Sequence, residues 1–135
     1  MADAPTLFTC GHSTRPFEEL VHLLQSNGIT VLVDVRAVPK SRYYPQFNRS
    51  YLEAHLPIRY LWRGDKLGGK NASQIPPEAF AEGIDELTAL AASERPCMMC
   101  SERSPTPTKW RKEGCHRWYS LTPAVEKKGV RVVHL

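Results

Sequence analysis

The 135-residue sequence has no apolar run approaching the roughly 20 residues that a membrane helix requires, so no transmembrane segment is expected. Its opening, Met1-Ala2-Asp3-Ala4-Pro5, lacks the basic start and apolar stretch of a secretory signal. The expectation is a cytoplasmic protein, with a nuclear one left open. Internal repeats and low-complexity tracts are missing too, which argues against solenoids and flexible linkers. Cysteine is scarce: the four residues do not sit in a short secreted chain, and Cys100 ends a strongly apolar segment. Free thiols or ligands are therefore expected rather than a disulfide framework. No charge sign dominates. The net +4 is modest and suits an anionic partner, while being weak evidence for nucleic acid by itself.

What is present is enough chain for one domain, read as a single α/β domain over residues 1–135. Thr6 to Cys10 reads as a strand, and a helix follows from near Pro16, with Phe17, Leu20, Val21 and Leu24 at helical spacing and Gly28 as its stop. Ile29 to Val35 is continuously apolar and β-branched, the pattern of a strand buried on both faces in a parallel sheet. Val38 to Arg49 carries Pro39 and Pro45 and reads as a long ordered loop. Asn48 should then cap a short helix ending before Pro57. Ile58 to Trp62 alternates like a strand and runs into the turn-rich Leu67-Gly68-Gly69. A helix over Pro77 to Ser93, a strand over Pro96 to Cys100, a helix from near Cys115 to Gly129 interrupted at Pro123, and a strand over Val130 to His134 complete the pattern. Strands alternating with helices predict a doubly wound, mainly parallel sheet of about five strands with flanking helices.

In such a sheet the loops leaving the carboxyl ends of the strands share one edge, where open α/β folds bind ligands. The chemical residues fall in those loops: His12 and Ser13 after the first strand, Arg36 after the second, Gly68 and Gly69 after the third, and Cys100 and Glu102 at the end of the fourth. Cys115, His116 and Arg117 open the last helix. Cys100 is a candidate nucleophile if nearby positive charge ionises it, and otherwise a packed core thiol. Glu102 is a candidate general acid or base provided it is partly buried, and otherwise a loop carboxylate paired with Arg103 or Arg117. His116 is a candidate proton carrier. Arg117 offers a planar fork for phosphate or carboxylate. Substrate contacts are expected from His12, Ser13, Arg36, Gly68, Gly69, Cys115 and Arg117.

Cys97 and Cys100 resemble a redox or zinc pair, but their strand turns the two thiols to opposite faces. Cys100, Cys115, His116 and His12 are acceptable metal ligands without a recognised spacing, so no metal and no cofactor is assigned. Cations and aromatics interleave through Lys40, Arg42, Tyr43 and Arg49, and again through Lys109, Trp110 and Arg111. Such surfaces suit phosphate contacts with base stacking.

Six motifs in order, Gly11-His12-Ser13-Thr14, Asp34-Val35-Arg36 with Pro39, Gln46-Phe47-Asn48, Leu67-Gly68-Gly69, Cys100-Ser101-Glu102 and Cys115-His116-Arg117, resemble the domain of unknown function 488 family across essentially the whole chain. The resemblance implies a compact α/β domain with a motif-lined cleft, and it carries no named reaction. The chain departs from the family pattern in a short segment between Asn48 and Ile58, a long loop between Glu102 and Cys115, and Pro123 within the last helix. That long loop decides whether Cys115 reaches Cys100.

The leading functional expectation is a hydrolase or transferase acting on a nucleotide, nucleobase-containing or other phosphorylated substrate, with an anionic small molecule or nucleotide as partner and no membrane. The alternatives are a noncatalytic nucleic-acid-binding module and a thiol-based metal or redox sensor. Nothing in the pattern sets the oligomeric state.

Overall fold

The computed structural model describes residues 4–69, 74–109 and 112–135. Five strands, β1 (Thr6–Gly11), β2 (Val31–Asp34), β3 (Arg59–Trp62), β4 (Pro96–Cys100) and β5 (Arg131–His134), form one sheet in the order β3-β2-β4-β1-β5. Every neighbouring pair is parallel. The three inner strands carry the continuous apolar runs and are almost wholly buried, whereas the edge strands β3 and β5 are only half-buried. This is the difference expected between strands covered on both faces and strands with one open edge.

Helices cover both faces. On one, Leu20 and Leu24 of α1 (Phe17–Ser26) and Leu52 of α2 (Arg49–His55) pack on Phe8, Cys10, Leu32, Cys97 and Met99. On the other, Ile84, Leu87 and Ala91 of α4 (Pro77–Ser93) and Val125 of α5 (Thr122–Glu126) pack on Leu7, Val31, Val33, Met98 and Cys100. Cys97 and Cys100 therefore do face opposite sides, as the two-residue period of a strand requires.

The order β3-β2-β4-β1-β5 places β4 between β1 and β2. The chain leaving β2 passes to the α2 face, while the chain leaving β4 reaches the opposite face through α5. Neighbouring strands whose exits diverge in this way open a crevice at their carboxyl ends. Cys100 is the last residue of β4 and stands at that crevice.

Local structure departs from the expected pattern at three places. Asn48 precedes α2 but makes no side-chain cap, because its Oδ1 accepts the Ser41 N–H at 2.7 Å and ties down the preceding loop. Leu67 is not in a turn; it closes a one-turn helix, α3 (Gly64–Leu67), directly before Gly68. The last helix is split as Pro123 implies, and its first part, Arg117–Leu121, is wound as a π-helix. Proline has no N–H to donate, so the register shifts there, and both the N–H and the Oγ1 of Thr122 donate to the Arg117 carbonyl. Among the described residues no helix is long and apolar enough to cross a membrane.

Candidate functional site

The long loop after β4 folds back. Gly114, at φ 80°, lets the chain turn, and the Cys115 N–H donates to the Pro105 carbonyl at 2.9 Å. This brings Cys115 Sγ to 3.1 Å from Cys100 Sγ, on the face covered by α4 and α5. Both thiols are buried.

Arg117 lies beside them, with its side chain 0% exposed. Its Nε donates to Cys100 Sγ at 3.0 Å, Nη1 to Thr9 Oγ1 at 2.6 Å, and Nη2 to the carbonyls of Glu102 and Arg103 at 2.7 and 3.1 Å. None of these acceptors is a carboxylate. The Glu102 carbonyl can reach this position because residue 11 is glycine: a Cβ there would stand 1.6 Å from the Glu102 oxygen. The same join extends the β1–β4 ladder, with the N–H groups of His12 and Ser13 donating to the carbonyls of Cys100 and Ser101, both at 3.0 Å.

The two thiols are shifted in opposite directions, Cys115 downward and Cys100 upward. The Cys100 S–H is the first cause holding the Cys115 thiol down to about 4, and the His116 ring and the Arg117 backbone N–H act in the same direction against the cost of burial. His116 Nδ1 is 3.9 Å from Cys115 Sγ, and its Nε2–H donates to the Val35 carbonyl at 3.3 Å, which fixes the ring. Donation to Cys115 and burial push the Cys100 thiol well above its ordinary range, although Arg117 opposes the shift. Hydrogen bonding therefore runs from Arg117 to the Cys100 thiol and on to the Cys115 thiolate.

A cavity of about 570 Å³ opens over this pair. Arg36, Lys40, Arg42, Cys100, Cys115 and His116 line it, together with Glu102 and Glu113. Gly69 belongs to the same wall, and a Cβ at that position would meet His116 Cγ at 2.8 Å. Gly68 lines an adjoining, smaller cavity.

The remaining expected residues are placed differently. His12 is buried, donates from Nδ1 to the Ser13 carbonyl at 2.9 Å, accepts from Arg36 Nη1 at 3.3 Å, and stacks on Phe47 at 4.4 Å. Burial first, and then the Arg36 charge, lower its pKa to about 4, so the ring is neutral near pH 7. Arg36 grips Asp34 through Nε and Nη2 at 2.9 and 2.7 Å and the Phe47 carbonyl at 2.6 Å. Asp34 also accepts from the Tyr60 hydroxyl. These groups brace the loops of β1, β2 and β3 against one another. Ser13, at φ 48°, is at the turn after β1.

Two expected roles lose their physical premise. Glu102 is exposed, so the partial burial on which its acid–base role depended is not there, and it is its carbonyl that serves the site. Arg117 is turned inward to sulfur and carbonyls instead of offering an open fork to an anion. Cys100, Cys115, His116 and His12, which are acceptable ligand types, are not brought together as one set, because His12 is committed to Ser13 and Arg36, and among the described residues no group of three His, Cys, Asp or Glu side chains could hold a metal ion.

Of the basic–aromatic loop, Lys40 and Arg42 reach the cavity, and the Tyr43 ring is 75% exposed beneath the Arg42 guanidinium at 5.4 Å. Arg49 pairs with Glu53 at 2.6 Å and lies over the Trp62 ring. Phe47 is fully buried, and Tyr51 packs against Phe17 and His55, so these rings are unavailable for stacking on bases. Lys109 is exposed, while Trp110 and Arg111 lie outside the described residues.

Sequence reasoning missed Thr9 and Tyr119. Thr9 accepts from Arg117 and meets His134 Nδ1 at 2.6 Å; a hydroxyl within the otherwise apolar Leu7-Phe8-Thr9-Cys10 was its only signal. Tyr119 lines both cavities, and the π register that sets its direction has no mark in the sequence beyond Pro123.

A family model described as Domain of unknown function DUF488 matches residues 16–76, in accord with the resemblance of the motifs. The matched stretch carries Arg36, Lys40, Arg42 and Gly69 and ends before Cys100 and Cys115. No curated protein and no solved structure matches the chain.

Proposed function

Because the family model that matches residues 16–76, Domain of unknown function DUF488, names no reaction, we propose from the site itself a cysteine-dependent hydrolase or transferase acting on an anionic, phosphorylated substrate, with Cys115 as nucleophile. The observation that supports this reading is the position of Cys115: a thiol held down to about 4, on the wall of a cavity that also carries Lys40 and Arg42. Lys40 and Arg42 attract the anion. Cys115 Sγ forms a bond to the electrophilic centre, and the leaving group departs with the electron pair of the broken bond. His116, after taking the Cys115 proton at Nδ1, returns it to the leaving group. Water or an acceptor then releases the covalent intermediate. Cys100 stays a thiol and Arg117 holds it in place.

Alkylation by iodoacetamide, followed residue by residue with peptide mass spectrometry between pH 4 and 9, tests this. Cys115 should react readily at pH 6, more slowly when inorganic phosphate or pyrophosphate is added, and more slowly in His116→Ala. Reaction only above about pH 8, indifferent to both anions, would remove the nucleophile and the anion site together.

A second reading, a thiol redox sensor, is favoured by the 3.1 Å between Cys100 Sγ and Cys115 Sγ. A peroxide would transfer one oxygen to the Cys115 thiolate, giving a sulfenic acid and releasing water or an alcohol. Cys100 would then displace that oxygen as a second water and form a disulfide. Non-reducing peptide maps after one equivalent of hydrogen peroxide should contain the Cys100–Cys115 link; Cys115 passing to sulfinic acid without a link would reject the reading.

A further inference from the structure

A second cavity of about 270 Å³ adjoins the one over the thiols, and its lining differs in chemistry. Leu67, Ile75, Pro77, Phe80 and Tyr119 supply most of its wall, with His116 and Ser120 as the polar side chains. Gly69, His116 and Tyr119 belong to both cavities, so the two meet along a shared partition. His116 is held in that partition by its bond to the Val35 carbonyl, and the missing Cβ at Gly69 leaves room for its ring.

The two spaces thus differ in what they can hold while opening beside the same residue, His116. The larger carries Arg36, Lys40 and Arg42 and the reactive sulfur; the smaller carries hydrocarbon and two aromatic rings. A volume of about 270 Å³ is below the range of whole-ligand pockets, which begins at about 300 Å³, and suits one ring of a larger molecule. Tyr119 is 50% exposed, an aromatic surface left for a ligand to cover.

We propose that the smaller cavity receives an aromatic group of the same substrate whose anionic end enters the larger one, which makes the substrate class an aryl-bearing phosphate ester. This rests on the larger cavity being an anion site. Stacking and apolar contact with Phe80 and Tyr119 hold the ring, and the phosphoryl group lies on the side of Lys40 and Arg42. The scissile bond then falls near His116, between the two cavities and beside Cys115.

Binding of inorganic phosphate, methyl phosphate, phenyl phosphate and AMP to the whole protein, measured by calorimetry, tests the assignment. Phenyl phosphate should bind at least about tenfold more tightly than methyl phosphate, or about 1.4 kcal/mol. AMP matching phenyl phosphate would identify the ring as a nucleobase, and phenyl phosphate alone would identify it as carbocyclic; both support the proposal. Ser120→Phe, which fills the smaller cavity, should bring phenyl phosphate to within about twofold of methyl phosphate and leave inorganic phosphate unchanged. If that variant does not fold, Ile75→Phe serves the same purpose. Equal affinity for phenyl and methyl phosphate, with inorganic phosphate still bound, overturns the aromatic subsite and leaves the anion site standing. No binding of any of the four overturns the anion site and the subsite with it.

Discussion

Arg117 Nε donates to Cys100 Sγ at 3.0 Å, so a fully buried guanidinium is met by sulfur where a carboxylate would be the usual partner. The charge that balances it lies one hydrogen bond further on, at Cys115, through the 3.1 Å contact between the sulfurs. A buried cation beside a thiol pair is an arrangement in which structure and reactivity depend on the same contacts.

Replacing Arg117 should therefore affect both. Arg117→Lys keeps the charge but cannot reproduce a fork that reaches Cys100, Thr9 and two carbonyls together. Urea unfolding should show a loss of about 2–3 kcal/mol, the scale of two or three buried hydrogen bonds. Cys115 alkylation in the folded variant should move to higher pH, because Cys100 is no longer held to donate to it. Unchanged stability would mean that these bonds contribute nothing.

The thiol pair also predicts how stability varies with pH. Cys115 has a folded pKa of about 4, against about 9 for a free thiol, so its contribution is full above pH 9, declines as pH falls and is lost below about 4. Cys100 is shifted upward, so its contribution is full below pH 9 and is lost as pH rises beyond it. His12, lowered to about 4, adds an acid penalty that appears only below pH 6.5. Between pH 6.5 and 9 the Cys115 slope stands apart from that of His12. Stability should rise there by about 1.4 kcal/mol per pH unit more in the wild type than in Cys115→Ser. Parallel profiles for the two proteins would place the thiolate elsewhere.

How much of this was legible in the sequence depends on the distance over which each feature is determined. The continuous Ile29 to Val35 run and the Pro96 to Cys100 run already implied buried parallel strands, and α4 begins at Pro77 and ends at Ser93 as its periodicity indicates. The edge where the site lies also followed from topology. What did not follow was the partner of each side chain. Arg117 in a list of motifs looks like an anion anchor, and only the approach of the Glu102 carbonyl over Gly11 shows why it faces inward. The order of charge between Cys100 and Cys115 likewise depends on a loop return whose geometry is set by Pro105 and Gly114, far outside any local pattern.

The glycines near the site should separate fold from chemistry. Gly11→Ala puts a Cβ 1.6 Å from a backbone oxygen, and backbone there cannot yield without breaking the β1–β4 join, so a loss above about 2 kcal/mol is expected in chemical denaturation. In Gly69→Ala the nearest atoms belong to the His116 side chain, Cγ at 2.8 Å, rather than to backbone, so the clash is relieved by turning that side chain out of its bond to the Val35 carbonyl. That variant should stay within about 1 kcal/mol of the wild type yet lose rapid alkylation of Cys115 at pH 6. Equal damage to stability from both substitutions would contradict the distinction.

Asp34 supplies the remaining test, on the side of the site that braces rather than reacts. Its carboxylate is fully buried and takes Arg36 Nε and Nη2, the Arg36 N–H and the Tyr60 hydroxyl. Asp34→Asn is nearly isosteric, but it removes the negative charge and substitutes a donor for one acceptor, leaving the Arg36 guanidinium buried and uncompensated. Breaking one side of a buried pair costs about 3–5 kcal/mol, against almost nothing for an exposed one, so the expected loss lies in that upper range. The effect should also reach His12, which accepts from Arg36 Nη1 and is kept neutral partly by the Arg36 charge. In Asp34→Asn the guanidinium has one fewer partner pulling it away from the imidazole, so the His12 pKa should fall below its value of about 4 in the wild type. Nuclear magnetic resonance titration of the His12 ring, in protein shown by its amide spectrum to remain folded, reads this directly; a His12 pKa returning toward 6.5 would mean that Arg36 is not held in place by Asp34.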